Sequence, residues 1–127
     1  MIEESYVSRD TARMLKEAGF DVPCNSYYEL EDGEAVRKDC IRPYDHNGFG
    51  DTICSRPTLA LAARWLREVY NVAIYSLYDD DMEQWFYVVD AFTKNPVING
   101  FQSGSEYDDY ESAFEDGLRE AIKLIKK

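Results

Sequence analysis

Residues 71–92 carry two apolar runs, "NVAIYSLY" and "EQWFYVVDAF", rich in β-branched and aromatic residues. The acidic turn Asp79-Asp80-Asp81-Met82 joins them, so they read as a pair of strands. Each is apolar on both faces. Val72 and Ile74 oppose Ala73, Tyr75 and Leu77; Trp85, Tyr87 and Val89 oppose Phe86, Val88 and Phe92. Strands of this kind belong in the middle of a sheet with cover on both sides. Asp90 interrupts the pattern and must be paired, at an edge, or functional.

Three helices are expected around this hairpin. In "SRDTARMLKEAGF", Ser8 caps the start, Asp10 suits the positive end of the dipole, and Gly19 stops the helix where left-handed geometry costs little. In "SRPTLALAARWLREVYN", Ser55 is expected to cap and Pro57 to sit in the first turn. Leu59, Ala62, Leu66 and Val69 form its stripe, widened by Leu61 and Trp65. The last helix is read from Asp108 and Glu111, spaced as a capping box, with Phe114, Leu118, Ala121, Ile122 and Ile125 on one face and Lys123, Lys126 and Lys127 at its end. Gly117 lies beside that stripe, which predicts a close approach to another backbone.

A second hairpin is expected in "NSYYELEDGEAVRKDCIR", turning at Asp32-Gly33. Residues 42–56, "RPYDHNGFGDTICSR", show no periodicity and contain Pro43, Gly48 and Gly50, so they read as a long connector between packed blocks and as a mobile surface. The expected fold is α+β: one domain over residues 1–127, in the order α-β-β-α-β-β-α. Its mainly antiparallel four-stranded sheet is packed by three helices. The doubly apolar strands favour helices on both faces.

A chain of 127 residues with 45% apolar residues can bury a real core without staples. The opening "MIEESYVSRD" is acidic and has no apolar stretch, which predicts no signal peptide, and no apolar run is long enough to span a membrane. Cys24, Cys40 and Cys54 are odd in number and widely spaced, which favours free thiols and a reduced, cytoplasmic setting. With His46 they lack the close ligand pairs of a structural zinc site. Neither a zinc ion nor a cofactor is expected. The net charge of −11 opposes direct binding to nucleic acid, and the sequence shows no basic patch to reverse it. It suits a basic partner, or a mimic whose carboxylates imitate phosphates.

"VSRDTARMLKEAGFDVPC", "RPTLALAARWLREVYNVAIYSLY" and "YESAFEDGLREAIKLI" together cover about half the chain. In these segments the chain resembles small uncharacterised proteins of Bacteroides-type gut bacteria and their phages and prophages. The resemblance implies a phage or mobile-element origin. It implies no activity, because the shared positions are core and cap positions, and it leaves out the histidine loop.

Three groups are candidate sites. In "DHNGFGD", Asp45 or Asp51 could orient His46 as a general base for a thiol of Cys40 or Cys54, the requirement of a hydrolase. The plainer alternative is an exposed or hydrogen-bonded loop histidine. In "YDDDMEQ", Asp79, Asp80, Asp81 and Glu83 offer oxygen ligands for calcium or magnesium, without the spacing of an EF-hand, and otherwise form a solvated hairpin tip. Of the ten tyrosines, Tyr44, Tyr107 and Tyr110 fall in or beside irregular segments and are candidates for an interaction surface. No phosphate-binding glycine loop, H-E-x-x-H or G-x-S-x-G is present. The leading expectation is a small soluble protein that binds another protein without doing chemistry. The alternatives are an acidic nucleic-acid mimic that inhibits a DNA-binding protein, and a hydrolase using the His46 loop.

Overall fold

The structure is a computed structural model that describes residues 3–92 and 100–125. The start of the turn-rich segment after Phe92 and the closing pair Lys126-Lys127 lie outside the described residues. The chain divides into two compact units, Met1–Leu61 and Ala62–Lys127.

In the first unit, α1 spans Arg9–Glu17. Ser8 caps it as expected, its hydroxyl accepting from the Thr11 N–H at 3.4 Å. Gly19, at φ 95°, follows the last turn. Strands β1 (Cys24–Glu31) and β2 (Glu34–Tyr44) form the expected hairpin. Asp32 and Gly33 both take positive φ, 50° and 82°, which matches the twist of a two-residue hairpin turn. The pairing breaks near its open end. Ser26 faces Asp39 while Cys24 faces Tyr44, so Cys40, Ile41, Arg42 and Pro43 bulge opposite a single residue, Asn25. Pro43 has no N–H to give the ladder, which fits its place in the bulge.

The segment expected to be a connector is largely ordered. His46–Gly48 form a 3-10 turn, and Ile53–Ser55 form β3, which pairs antiparallel with β1 in the order β2-β1-β3. Three residues are too few to show a period, so this strand exists only because β1 offers it a free edge. Ser55 is therefore in a sheet and caps no helix. Helix α2 (Leu59–Tyr70) is capped by Thr58, whose Oγ1 accepts from the Leu61 N–H at 3.1 Å. Residues 5–7 run against residues 57–59, with bonds from Leu59 N–H to Ser5 O (2.9 Å) and Val7 N–H to Pro57 O (3.0 Å).

The second unit takes up α2 from Ala62 onward. Asn71, at φ 59°, then turns the chain into β4 (Val72–Asp79). β4 pairs with β5 (Gln84–Ala91), and β5 with the two-residue β6 (Phe101–Gln102), all antiparallel. Helix α3 (Tyr110–Ile125) packs on β4 and β5. Its cap is Asp109, not Asp108: the Asp109 carboxylate accepts from the Ser112 N–H at 2.7 Å.

The fold is thus α+β with three helices, but its strands form two three-stranded antiparallel sheets in place of one four-stranded sheet. Among the described residues strand β4 is an edge, not a centre. Val72 and Ile74 are buried, but Tyr75 and Leu77 are about half exposed, so the second apolar face of the strand is only partly covered. Gly117 is explained by side chains and not by a backbone. A Cβ there would stand 2.9 Å from Tyr87 Cβ and 3.0 Å from Ile74 Cγ2.

Candidate functional site

Two pockets are found among the described residues of the first unit, and strand alternation decides what each contains. Tyr28 faces Cys54 and Leu30 faces Ala35, so these four side chains share one side of the sheet. Tyr27 and Ile53 fall on the other side. His46 belongs with Tyr27 and Ile53, whereas Cys54 belongs to the opposite face.

His46 is only 4% exposed, the reverse of a mobile loop residue. Its ring stacks on Tyr27 with centroids 4.4 Å apart, and its backbone N–H donates to Ser55 Oγ at 3.1 Å. Nε2 lies 2.9 Å from the Cys24 carbonyl oxygen. A carbonyl only accepts, so Nε2 carries the proton. Asp45 does not orient this ring: its carboxylate accepts from the Asn47 N–H at 3.1 Å and caps the 3-10 turn. Asn47 completes the local network, donating to Phe20 O at 2.9 Å and accepting from Ser55 N–H at 2.8 Å. Asp51 is exposed at the rim of the other pocket.

The proposed hydrolase group is therefore dispersed. Cys54 is across the sheet from His46, and Cys40, which does line the histidine pocket, makes no hydrogen bond to the ring among the described residues. All three thiols are free. Burial, with the Asp45 charge added, pushes the Cys24 thiol up to about 11, which leaves it protonated and inert near neutral pH.

The histidine pocket is instead an aromatic one. It has a volume of about 250 Å³ and is lined by Tyr27, Cys40, Tyr44, His46, Phe49 and Ile53. Its rim is exposed: Phe49 is 64% exposed and Tyr44 51%, and Ile41, on the β2 bulge next to the lining residue Cys40, is fully exposed.

The larger pocket, about 400 Å³, lies between α1 and the other side of the sheet. It is lined by Arg9, Arg13 and Lys16, at helical spacing on one face of α1, together with Tyr28, Leu30 and Cys54. Sequence reading missed this basic patch, because the acidic total hid a local cluster; the spacing 9, 13, 16 was the signal. Lys16 shapes the pocket. Its Nζ donates to Ile53 O at 2.6 Å and to Gly50 O, which ties the 50–53 loop to α1.

In the second unit, Tyr107 is not a free contact residue. Its hydroxyl donates to Asp116 Oδ2 at 2.7 Å, and its backbone exchanges two bonds with Trp85. Burial tends to raise Asp116, but the bonds from Tyr107 and Arg119 outweigh it and hold the carboxyl below its usual range. Tyr110 is 44% exposed, stacked on Phe114 and edge-on to Trp85. In the acidic turn, Asp79 closes its own turn, accepting from the N–H groups of Asp81 (3.0 Å) and Met82 (3.3 Å) and from Ser105 Oγ (2.7 Å). Those bonds hold its carboxyl below the usual range. Asp80, Asp81 and Glu83 are exposed, and no metal-sized group of ligands forms among the described residues.

No family model matches the chain, and neither a curated protein nor a solved structure matches it. Among the described residues no helix is long and apolar enough to cross a membrane.

Proposed function

We propose that this chain acts by binding another protein, without catalysis, through the rim of the aromatic pocket. The observation that carries this reading is Ile41. A fully exposed isoleucine on the bulge of the strand that ends in exposed Tyr44, next in sequence to the pocket residue Cys40, has no role in the core of its own unit. Covering such a side chain is worth roughly 1.5–3 kcal/mol to whatever covers it. Bulges at a sheet edge re-aim side chains outward, and aromatic residues are favoured at interface centres. Tyr44, one of the three tyrosines expected at a surface, borders this pocket. The net charge of −11 suits a partner that is basic around an apolar centre. A soluble protein working in the cytoplasm, of phage or mobile-element origin, is consistent with this role.

The experiment is affinity capture from the native host with the wild-type chain and with an Ile41→Asp/Phe49→Asp variant, both checked for equal thermal stability. A partner held by the wild type and lost by the variant supports the reading. A partner held equally by both sinks it. Salt separates the mimic: a DNA-binding partner released steeply between 0.1 M and 0.5 M salt, independent of Ile41, would favour it.

A further inference from the structure

From the cationic pocket between α1 and the first sheet, we infer a binding site for a small phosphate-bearing molecule, separate from the aromatic rim. Three observations carry it. The pocket places three cations, Arg9, Arg13 and Lys16, against two carboxylates, Glu17 and Asp51, in a chain whose total charge is −11. A local excess of positive charge runs against the whole-molecule field. With Glu17 and Asp51 counted, the lining keeps one net positive charge, which favours an anion there.

The second observation is that the two arginines are uncommitted. Neither Arg9 nor Arg13 makes an ion pair or side-chain hydrogen bond among the described residues; of the other six arginines, those at 37, 56, 64 and 119 are bonded, and Arg42 and Arg67 are unpaired but line no pocket with other cations. Lys16 differs from Arg9 and Arg13, since its ammonium donates to two carbonyls, Gly50 O and Ile53 O, and it builds the wall. Two free guanidinium forks one helical turn apart offer more donors than a carboxylate's two oxygens accept. A phosphoryl group, with three terminal oxygens and close to two charges, uses them better.

The third observation is shape. About 400 Å³ is more space than a bare ion needs, and Tyr28, Leu30 and Ala35 form an apolar wall opposite the arginines. The ligand class is therefore a phosphate monoester with a small ring or apolar group attached. Tyr28 is held rigid for this contact: its hydroxyl donates to Val7 O at 2.8 Å and accepts from Arg56 Nε at 3.2 Å.

The thiols supply the readout. Cys54 lines this pocket and Cys40 lines the other, so one serves as the reporter and the other as the control. The full chain is treated with iodoacetamide, with and without millimolar phenyl phosphate, inorganic phosphate or benzoate, and alkylation of each cysteine is followed by mass spectrometry. Phenyl phosphate is expected to slow Cys54 several-fold and leave Cys40 unchanged. Calorimetry is expected to show phenyl phosphate bound at least tenfold tighter than benzoate and tighter than inorganic phosphate. Arg9→Gln and Arg13→Gln should each weaken it about tenfold or more, whereas Arg37→Gln, outside the pocket, should not. Equal slowing of both thiols, no binding at millimolar ligand, benzoate binding as tightly as phenyl phosphate, or affinity unchanged in the Arg9→Gln/Arg13→Gln double variant would each overturn the site. Capture of the partner by the Ile41 rim is a separate measurement, so either result can fail alone.

Discussion

The ring of His46 lies on the ring of Tyr27 with centroids 4.4 Å apart and planes 27° from parallel. With Nε2 on the Cys24 carbonyl, this stack makes the only histidine of the chain a structural pin of the first unit. His46→Ala removes the stacked ring and leaves a buried carbonyl unpaired. The expected loss is about 2–3 kcal/mol of unfolding free energy, measured by urea denaturation. A variant as stable as the wild type would show that the pin carries no weight.

Arg56 ties three parts of the first unit together. Its guanidinium lies 4.0 Å from the Tyr6 ring centroid, its Nη1 donates to Ser26 Oγ at 3.1 Å, and its Nε donates to the Tyr28 hydroxyl. Lysine keeps the charge but has neither the planar face nor the fork. Arg56→Lys is expected to cost about 1–2 kcal/mol. Denaturation of Arg56→Lys beside Arg37→Lys, a more exposed site, tests this; equal small losses would count against it.

Gly117 sets α3 on its sheet. Alanine would gain about 1 kcal/mol in helix propensity. It would also bring a Cβ to 2.9 Å from Tyr87 Cβ, which is on a strand and cannot swing aside. Overpacking of this kind costs roughly 1–3 kcal/mol. Gly117→Ala is therefore expected to be net destabilising by up to about 2 kcal/mol, and thermal melts that rise with the substitution would contradict the close packing.

The Tyr107–Asp116 bond predicts a pH dependence. The folded carboxyl is held below its ordinary value, so its stabilisation is present above the unfolded pKa of about 3.9. It is lost as pH falls through the lower, folded value. Asp116 is partly exposed, so the expected cost of Tyr107→Phe is only about 1 kcal/mol at pH 7. The gap to wild type should narrow as pH drops from 5 towards 2. A gap that stays constant over that range would place the effect in packing and not in the carboxyl.

Much of the local structure was legible. Ser8, Asp32-Gly33 and Gly19 act where their backbone chemistry says they should, because caps and tight turns are settled within four residues. The helix stripes were legible for the same reason, since a period of 3.6 repeats three to four times over twelve or sixteen residues, except that Val69, expected on the stripe of α2, is 55% exposed near the end of that helix. The caps Thr58 and Asp109 were missed for Ser55, three residues before, and Asp108, one before, residues of at least equal propensity, a choice that local preference does not make.

The sites were not legible. Read alone, "DHNGFGD" is a loop with a histidine and a carboxylate. Pairing of Ile53–Ser55 with β1 turns it into a packed corner, and that pairing joins residues more than twenty positions apart. The same pairing assigns Cys54 and His46 to opposite faces, because side chains alternate along a strand and one position of register exchanges the faces. The cations at 9, 13 and 16 were visible as a spacing, but only the sheet beneath α1 makes a pocket of them. The sequence by itself determined the helices, the turns and the α+β class, which rest on short-range periodicity and backbone preference. The tertiary structure decided the number of sheets, the exposure of β4 and the contents of both pockets, because these depend on which distant edges find each other.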